Sequence, residues 1–137
     1  RTDGCAANTG LDICSENRTA AILAKAVAYD ATALVAATTL RAATLGGAKA
    51  LGFDQRIGSI EIGKQADLVC VDMAALETQP LHNVISQLVY ATGRQQVSDV
   101  WIAGVSKLEN RVLVDMDIDG IIANARQWRD RIATVRG

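Results

Sequence analysis

The sequence contains few of the residues that mark several common functions. Its 137 residues include two Trp, two Tyr, one Phe and one Pro, and the formal net charge is −1. No basic stripe with interleaved aromatic residues occurs, which argues against nucleic acid as a partner. No apolar run approaches the roughly 20 residues of a membrane-spanning helix, so we expect a soluble chain with no membrane partner.

Cysteine and histidine are also scarce, which limits the metal chemistry that the chain could carry alone. Cys5, Cys14 and Cys70 show no paired spacing, and His82 is the single histidine. An odd cysteine count without pairs argues against a disulfide framework and for a reducing compartment, so we expect a cytoplasmic protein. Zinc sites built from thiolates use close Cys or His pairs. We therefore interpret Cys5 and Cys14 as small buried residues, and His82 as a residue that binds no metal.

Hydrophobic residues, mostly Ala, Val, Leu and Ile, make up 50% of the sequence, which is enough for one domain with a core. Their spacing predicts helices in the first third of the chain and at its end. The expected helices cover residues 11–28, a segment capped by Thr32 and running to Leu45, residues 48–51, and an amphipathic stretch from Ile118 to Ile132. Gly46 and Gly47 are expected to end the second helix.

The middle of the chain is typical of short strands joined by turns. Strands are predicted over residues 66–72, 84–91, 97–103 and 111–114. Ala103-Gly104 and Glu109-Asn110 are the expected turns between them. Helices, then strands, then a helix make an α+β chain.

Several short motifs occur in a fixed order along the sequence. Residues 2–8 read TDGCAAN, with LD and ENR following at 11–12 and 16–18; residues 43–52 read ATLGGAKALG, 58–69 read GSIEIGKQADLV, 86–91 read SQLVYA and 100–104 read VWIAG. Together they resemble the C-terminal third of the amidohydrolase superfamily. The branch they resemble most comprises 5-methylthioadenosine/S-adenosylhomocysteine deaminases and related chlorohydrolases.

The resemblance implies a fold in three parts. Residues 1–55 correspond to the end of a TIM-like barrel of a metal-dependent hydrolase, namely the last strand tip and helices. Residues 56–115 correspond to strands of a small β-sandwich, and residues 116–137 to a C-terminal helix. An eight-stranded barrel needs about 250 residues, so we expect this α+β chain to be a fragment of a longer one.

The resemblance also implies a site residue. It makes Asp3 a ligand of a divalent metal, zinc or iron, and the catalytic group that takes a proton from metal-bound water. A lone Asp-Gly pair is most often a turn, and only the surrounding motif distinguishes Asp3. The other motif positions are expected to be structural: Gly4, Asn8, Gly63, Lys64, Ala66 and Asp67. The residues that bind substrate are not identified.

The implied reaction is hydrolysis of a non-peptide carbon–nitrogen bond in a small molecule. Deamination of 5-methylthioadenosine, S-adenosylhomocysteine or a similar purine is the favoured form. A catalytic metal needs about three protein ligands, and the family's histidines have no counterparts here. We therefore expect the isolated chain to be inactive and to bind no metal tightly. The alternative is a free-standing, non-catalytic interaction or oligomerisation module derived from the sandwich.

Other residues have structural interpretations. Glu16 and Arg18 are expected to form an ion pair or helix-surface contacts rather than to bind substrate, and Asp67 to hydrogen-bond its own turn or a neighbouring strand. Trp101 and Trp128 are expected in the core. Apolar residues whose partners would be missing predict a homo-oligomer, and they are Ile22, Leu23, Val27, Val69 and Val71.

Overall fold

The structure, a computed structural model, describes residues 10–135. The first helix, α1, covers Ile13–Ala28. It begins there because the Asp12 side chain accepts a hydrogen bond from the backbone N–H of Cys14 at 3.0 Å. It ends at Tyr29, whose left-handed backbone (φ 52°) lets its N–H reach the carbonyl of Ala26. The helix predicted over residues 11–28 is thus confirmed with a start two residues later.

The second helical segment begins later and continues further than the sequence predicts. Helix α2 covers Ala36–Arg41, a π-helical turn follows over Ala42–Gly46, and α3 covers Gly47–Ala50. Thr32 caps no helix, because its N–H and hydroxyl donate to Asp30 Oδ1 in a separate turn.

The prediction that Gly46 and Gly47 end this helix is wrong, since both keep helical φ angles near −63°. A Cβ at Gly46 would lie 3.1 Å from the carbonyl oxygen of Arg41. The glycine therefore accommodates the widened π-helical turn inside the helix instead of ending it.

The sheet is antiparallel, with four strands in the order β1-β2-β3-β4. The strands cover Leu68–Val71, Val97–Ile102, Val105–Glu109 and Val112–Leu113. The two hairpins have two-residue turns, at Ala103-Gly104 and at Asn110-Arg111, and all four turn residues have positive φ. This is the primed turn geometry that matches the twist of a hairpin. The first turn falls where predicted, the second lies one residue later, and β3 between them was not itself predicted.

Residues 84–91, predicted as a strand, form helix α4 instead, over Val84–Tyr90. The Asn83 side chain caps it by accepting from the N–H of Ser86 at 2.9 Å. The apolar residues of this run recur at helical spacing, but a run this short does not distinguish a helix from a strand in the sequence. Tertiary packing decides, because α4 lies against α2 and α1.

The core of the described chain is small and lies between these helices. It comprises Ala21, Ala36 and Val89, with Leu40 and Tyr90 packed against it. The last helix, α5, covers Ile118–Val135 and exposes its apolar residues.

Trp128, expected in the core, lies on α5 and is 55% exposed, with the Arg131 guanidinium 5.2 Å from its ring centre. Trp101 is half-buried on β2. Of the residues predicted to be uncovered, Ile22, Leu23, Val27 and Val69 are exposed. Val71, also on β1, is half-buried.

Candidate functional site

The structure describes the chain that follows the predicted catalytic residue, from Gly10 onward. Asp3 itself, with Gly4, Cys5 and Asn8, lies outside the described residues. A groove of about 210 Å³ opens at the start of α1. Its lining residues come from two distant stretches of sequence, and they are Gly10, Asp12, Ser15, Glu16 and Arg94.

Two arginines connect the start of α1 to the loop between α4 and β2. Arg18, expected to pair with Glu16 or to make contacts on the helix surface, donates from Nη2 to the carbonyl oxygen of Thr92 at 2.8 Å. In the opposite direction, Arg94 donates from Nη1 to the carbonyl oxygen of Gly10 at 3.1 Å. Arg18 therefore makes a contact across the fold.

The loop that receives these contacts is held by its own hydrogen bonds. Thr92 is fully buried, and both its N–H and its hydroxyl donate to the carbonyl of Gln87 at the end of α4. The buried side chain of Gln96 accepts from the N–H of Gly93 at 2.8 Å and donates to Glu77 at 3.2 Å. These bonds give hydrogen-bond partners to the buried residues of the loop, as stability requires.

Arg94 and Thr92 were not identified from the sequence. Their partners lie 84 and 74 residues away along the chain, and no local spacing reports such a contact. Every residue has a backbone carbonyl that can accept a hydrogen bond, so the type of the accepting residue does not predict the contact either.

Cys14 lies in the first turn of α1 beside the cap. It is half-buried, not fully buried as expected. Burial raises the pKa of its thiol, and the negative charge of Asp12 raises it further. The Cys14 thiol is therefore a poor nucleophile at neutral pH. Cys70, on β1, is exposed.

The Gly-Lys-x-Ala-Asp-Leu motif forms a compact loop before β1. Lys64 donates to the Ser59 hydroxyl at 2.6 Å and lies 3.4 Å from a carboxylate oxygen of Glu61. The hydrogen bond from the Ser59 hydroxyl, and then the Lys64 ammonium, hold the pKa of Glu61 below its usual range. Gly63 has a φ of +91°, a conformation that favours glycine at this turn.

The same loop is hydrogen-bonded to the turn of the hairpin between β2 and β3. Asp67 Oδ1 accepts from the N–H of Ala103 at 2.7 Å, and the carbonyl of Ala66 accepts from Gly104 at 3.0 Å. The sequence predicts that Asp67 bonds its own turn or a neighbouring strand, and the partner found is Ala103, in the turn that directly follows β2. A shallow cavity of about 180 Å³ lies beside it, lined by Phe53, Arg56, Ile57, Gln65 and Asp67. The motif therefore has a structural role: it holds the loop before β1 against the β2–β3 hairpin.

Within residues 10–135, no group of three or more His, Cys, Asp and Glu side chains is placed to hold a metal ion. His82 is exposed and belongs to no such group in this range. The described residues alone therefore do not fit a metal centre. None of the helices in the same range is both long and apolar enough to cross a membrane.

Comparisons with known proteins show similarity to deaminases and to a chlorohydrolase. A 5-methylthioadenosine/S-adenosylhomocysteine deaminase from Teredinibacter turnerae is 44% identical over 135 residues, which are 98% of this chain and 30% of that protein. An adenosine deaminase from Xanthomonas campestris, solved with bound zinc, is 76% identical with a TM-score of 0.93, over 96% of this chain and 30% of that one. An atrazine chlorohydrolase from Arthrobacter aurescens, solved with zinc, is 28% identical with a TM-score of 0.82, over 90% of this chain and 28% of that one.

The chain thus spans about 30% of the length of the curated relatives it matches. The sequence profile of the amidohydrolase family matches residues 1–107, well over half of the chain. The family predicted from the motifs is therefore confirmed: this chain belongs to the amidohydrolase family.

Proposed function

We propose that this chain is the C-terminal part of a metal-dependent amidohydrolase that deaminates 5-methylthioadenosine, S-adenosylhomocysteine or a similar purine. One observation carries the proposal. The chain is 76% identical to part of an adenosine deaminase with bound zinc, with a TM-score of 0.93 over 96% of its length. The Teredinibacter turnerae relative, named for the same kind of deamination, supports it.

Within that enzyme, residues 1–55 would form the end of the barrel, residues 56–115 strands of the sandwich, and residues 116–137 the closing helix. Asp3 would be the metal ligand and the proton acceptor of the site, as its motif suggests. The metal is proposed to be divalent, and the zinc in the two solved relatives favours zinc over iron. Because residues 10–135 do not fit a metal centre by themselves, the remaining ligands would come from the rest of the enzyme.

The missing metal ligands also determine what the isolated chain can do. A carboxylate without the other ligands binds a divalent ion weakly, so the chain alone would hold no stoichiometric metal and deaminate nothing. Its partners would be a small-molecule substrate in the whole enzyme and, for the isolated chain, further copies of itself. An active, metal-loaded isolated chain would refute this part of the proposal.

A hybrid enzyme tests the proposed function. The chain replaces the corresponding 30% of the Xanthomonas campestris enzyme, to which it is 76% identical. Ammonia release is measured with 5-methylthioadenosine, S-adenosylhomocysteine and adenosine, beside the isolated chain. We expect the hybrid to release ammonia from at least one of them. A folded, zinc-loaded hybrid that releases none from any would contradict the proposal and favour a non-catalytic module.

A further inference from the structure

Two hydrogen bonds run in opposite directions between the same two segments. Arg18 on α1 donates to Thr92 in the loop between α4 and β2, at 2.8 Å. Arg94 in that loop donates back to Gly10, just before α1, at 3.1 Å. The two bonds connect the loop to the chain at two points, one on either side of the Asp12 cap.

The donors and acceptors suit this task. A guanidinium remains charged at any physiological pH, and its planar donor groups hold their direction. Hydrogen bonds from a charged donor are shorter and stronger than neutral ones. The acceptor on Thr92 is fixed in place, because that residue is fully buried and hydrogen-bonded to Gln87 through its N–H and its hydroxyl.

The loop between α4 and β2 is also hydrogen-bonded to the sheet. The carbonyl of Gln96 accepts from the N–H of Asp72 at the end of β1, at 2.8 Å. The Gln96 side chain, 2% exposed, bonds Gly93 within the loop and Glu77 in the turn after β1. Through this loop, the chain entering α1 is connected by hydrogen bonds to the sheet as well as to α4.

We infer that Arg18 and Arg94 are positioning residues of the proposed deaminase. Gly10 follows Asp3 by seven residues in the sequence. The two hydrogen bonds restrain the chain at Gly10 and in the first turns of α1, which is where the described residues meet the segment that carries Asp3. The two arginines would thus act on the reaction through Asp3, without contacting the substrate. This inference rests on the proposed function for its catalytic consequence, and on the two hydrogen bonds alone for its structural part.

The structural part is tested on the chain itself, by amide hydrogen exchange. The variants are Arg18→Gln, Arg94→Gln and Arg94→Lys, with Arg126→Gln on the exposed face of α5 as the matched control. We expect faster exchange over residues 10–20 in both glutamine variants, and exchange near the unsubstituted rate in the lysine variant and the control. Unchanged exchange in Arg94→Gln, which removes an exposed arginine and should leave the fold intact, would overturn the inference.

The catalytic part is tested in the hybrid enzyme by steady-state kinetics. A small misplacement of a catalytic group lowers the rate far more than substrate affinity, so we expect Arg94→Gln to lower kcat by about tenfold or more with KM changed less than about threefold. Arg94→Lys should restore most of kcat, and Arg126→Gln should match the unsubstituted hybrid. Equal kcat in Arg94→Gln and Arg126→Gln would overturn the inference. An inactive unsubstituted hybrid would instead count against the proposed function, and hydrogen exchange would still decide on the structural part.

Discussion

Gly58 lies against Ala48 so closely that a Cβ at position 58 would be 2.7 Å from the Ala48 Cβ and 3.0 Å from the Leu45 Cα. Gly58 also has a φ of +91°, which L side chains rarely adopt. The residue brings the loop before β1 onto the end of the π-helical segment, where no side chain fits. The glycine of the Gly-Ser-Ile-Glu motif is thus required twice, by conformation and by space.

Gly58→Ala should therefore destabilise the chain strongly. We expect a loss of about 3 kcal/mol or more in the free energy of unfolding, because backbone strain and overpacking add. Gly63→Ala is the matched control, since Gly63 has the same φ of +91° but nothing within 4 Å of its Cβ position. Strain alone should cost that variant about 1–2 kcal/mol. Urea titration of both variants measures the difference, and equal losses would show that the contact with Ala48 is unimportant.

The fastening at Asp67 should also be measurable. Asp67→Ala removes the acceptor for the Ala103 N–H and should lower the free energy of unfolding by about 1 kcal/mol. Asp67→Asn keeps an acceptor oxygen and should lose about half of that. Thermal unfolding of the two variants provides the comparison. An alanine variant as stable as the unsubstituted chain would mean that this hydrogen bond does not hold the motif against the hairpin.

The two described cysteines should differ in reactivity and in its dependence on pH. Burial and Asp12 raise the pKa of Cys14, so its reactive thiolate is scarce at pH 7 and increases only as the pH rises. Cys70 is exposed and accessible to reagents. At pH 7 we expect iodoacetamide to label Cys70 several times faster than Cys14, with peptide mass spectrometry as the readout.

Raising the pH should increase the labelling of Cys14 over a higher pH range than is usual for a free thiol. Asp12→Asn removes a charge that opposes the thiolate, so it should shift this increase to lower pH. Faster labelling of Cys14 than of Cys70 at pH 7 would contradict the described environment of α1.

The exposed apolar face of α1 should make the isolated chain self-associate. Ile22, Leu23 and Val27 are 54%, 58% and 72% exposed there. Burying such a patch against a second copy is favourable by roughly 25 cal/mol per Å² of apolar surface, so we expect a dimer or larger species by light scattering. Leu23→Lys should lower the measured mass. Ile62→Lys, at a fully exposed loop position, should not. A compact monomer at high concentration would refute the prediction.

Local patterns predicted much of this fold. The strand-forming composition of residues 66–72 and 97–103, with Gly104 in the turn between β2 and β3, located the strands because a strand and its turn are set by neighbouring residues. Residues 84–91 were misassigned, because their environment is set by α1 and α2, far away in sequence. The prediction that Gly46 ends a helix was wrong, because glycine is also favoured inside this π-helical turn, where a Cβ would crowd the Arg41 carbonyl oxygen.

The candidate site was predictable only in part. The motif around Asp3 indicated a family, and that family is confirmed. The contacts of Arg18 with Thr92 and of Arg94 with Gly10 join residues more than 70 positions apart. They depend on how α1 packs on α4, and no single sequence reports that packing. The motifs therefore identified the family, while the structure identified contacts that the sequence did not predict.

The proposed role of Asp3 in the amidohydrolase reaction is tested by the deamination rate of the hybrid enzyme carrying Asp3→Asn. Asp115→Asn is the matched control, because Asp115 is exposed and its φ of 55° suits asparagine. Loss of a metal ligand and proton acceptor should lower kcat by at least about 100-fold, and the control should match the unsubstituted hybrid. An Asp3→Asn hybrid with a kcat within about threefold of the control would contradict this role of Asp3.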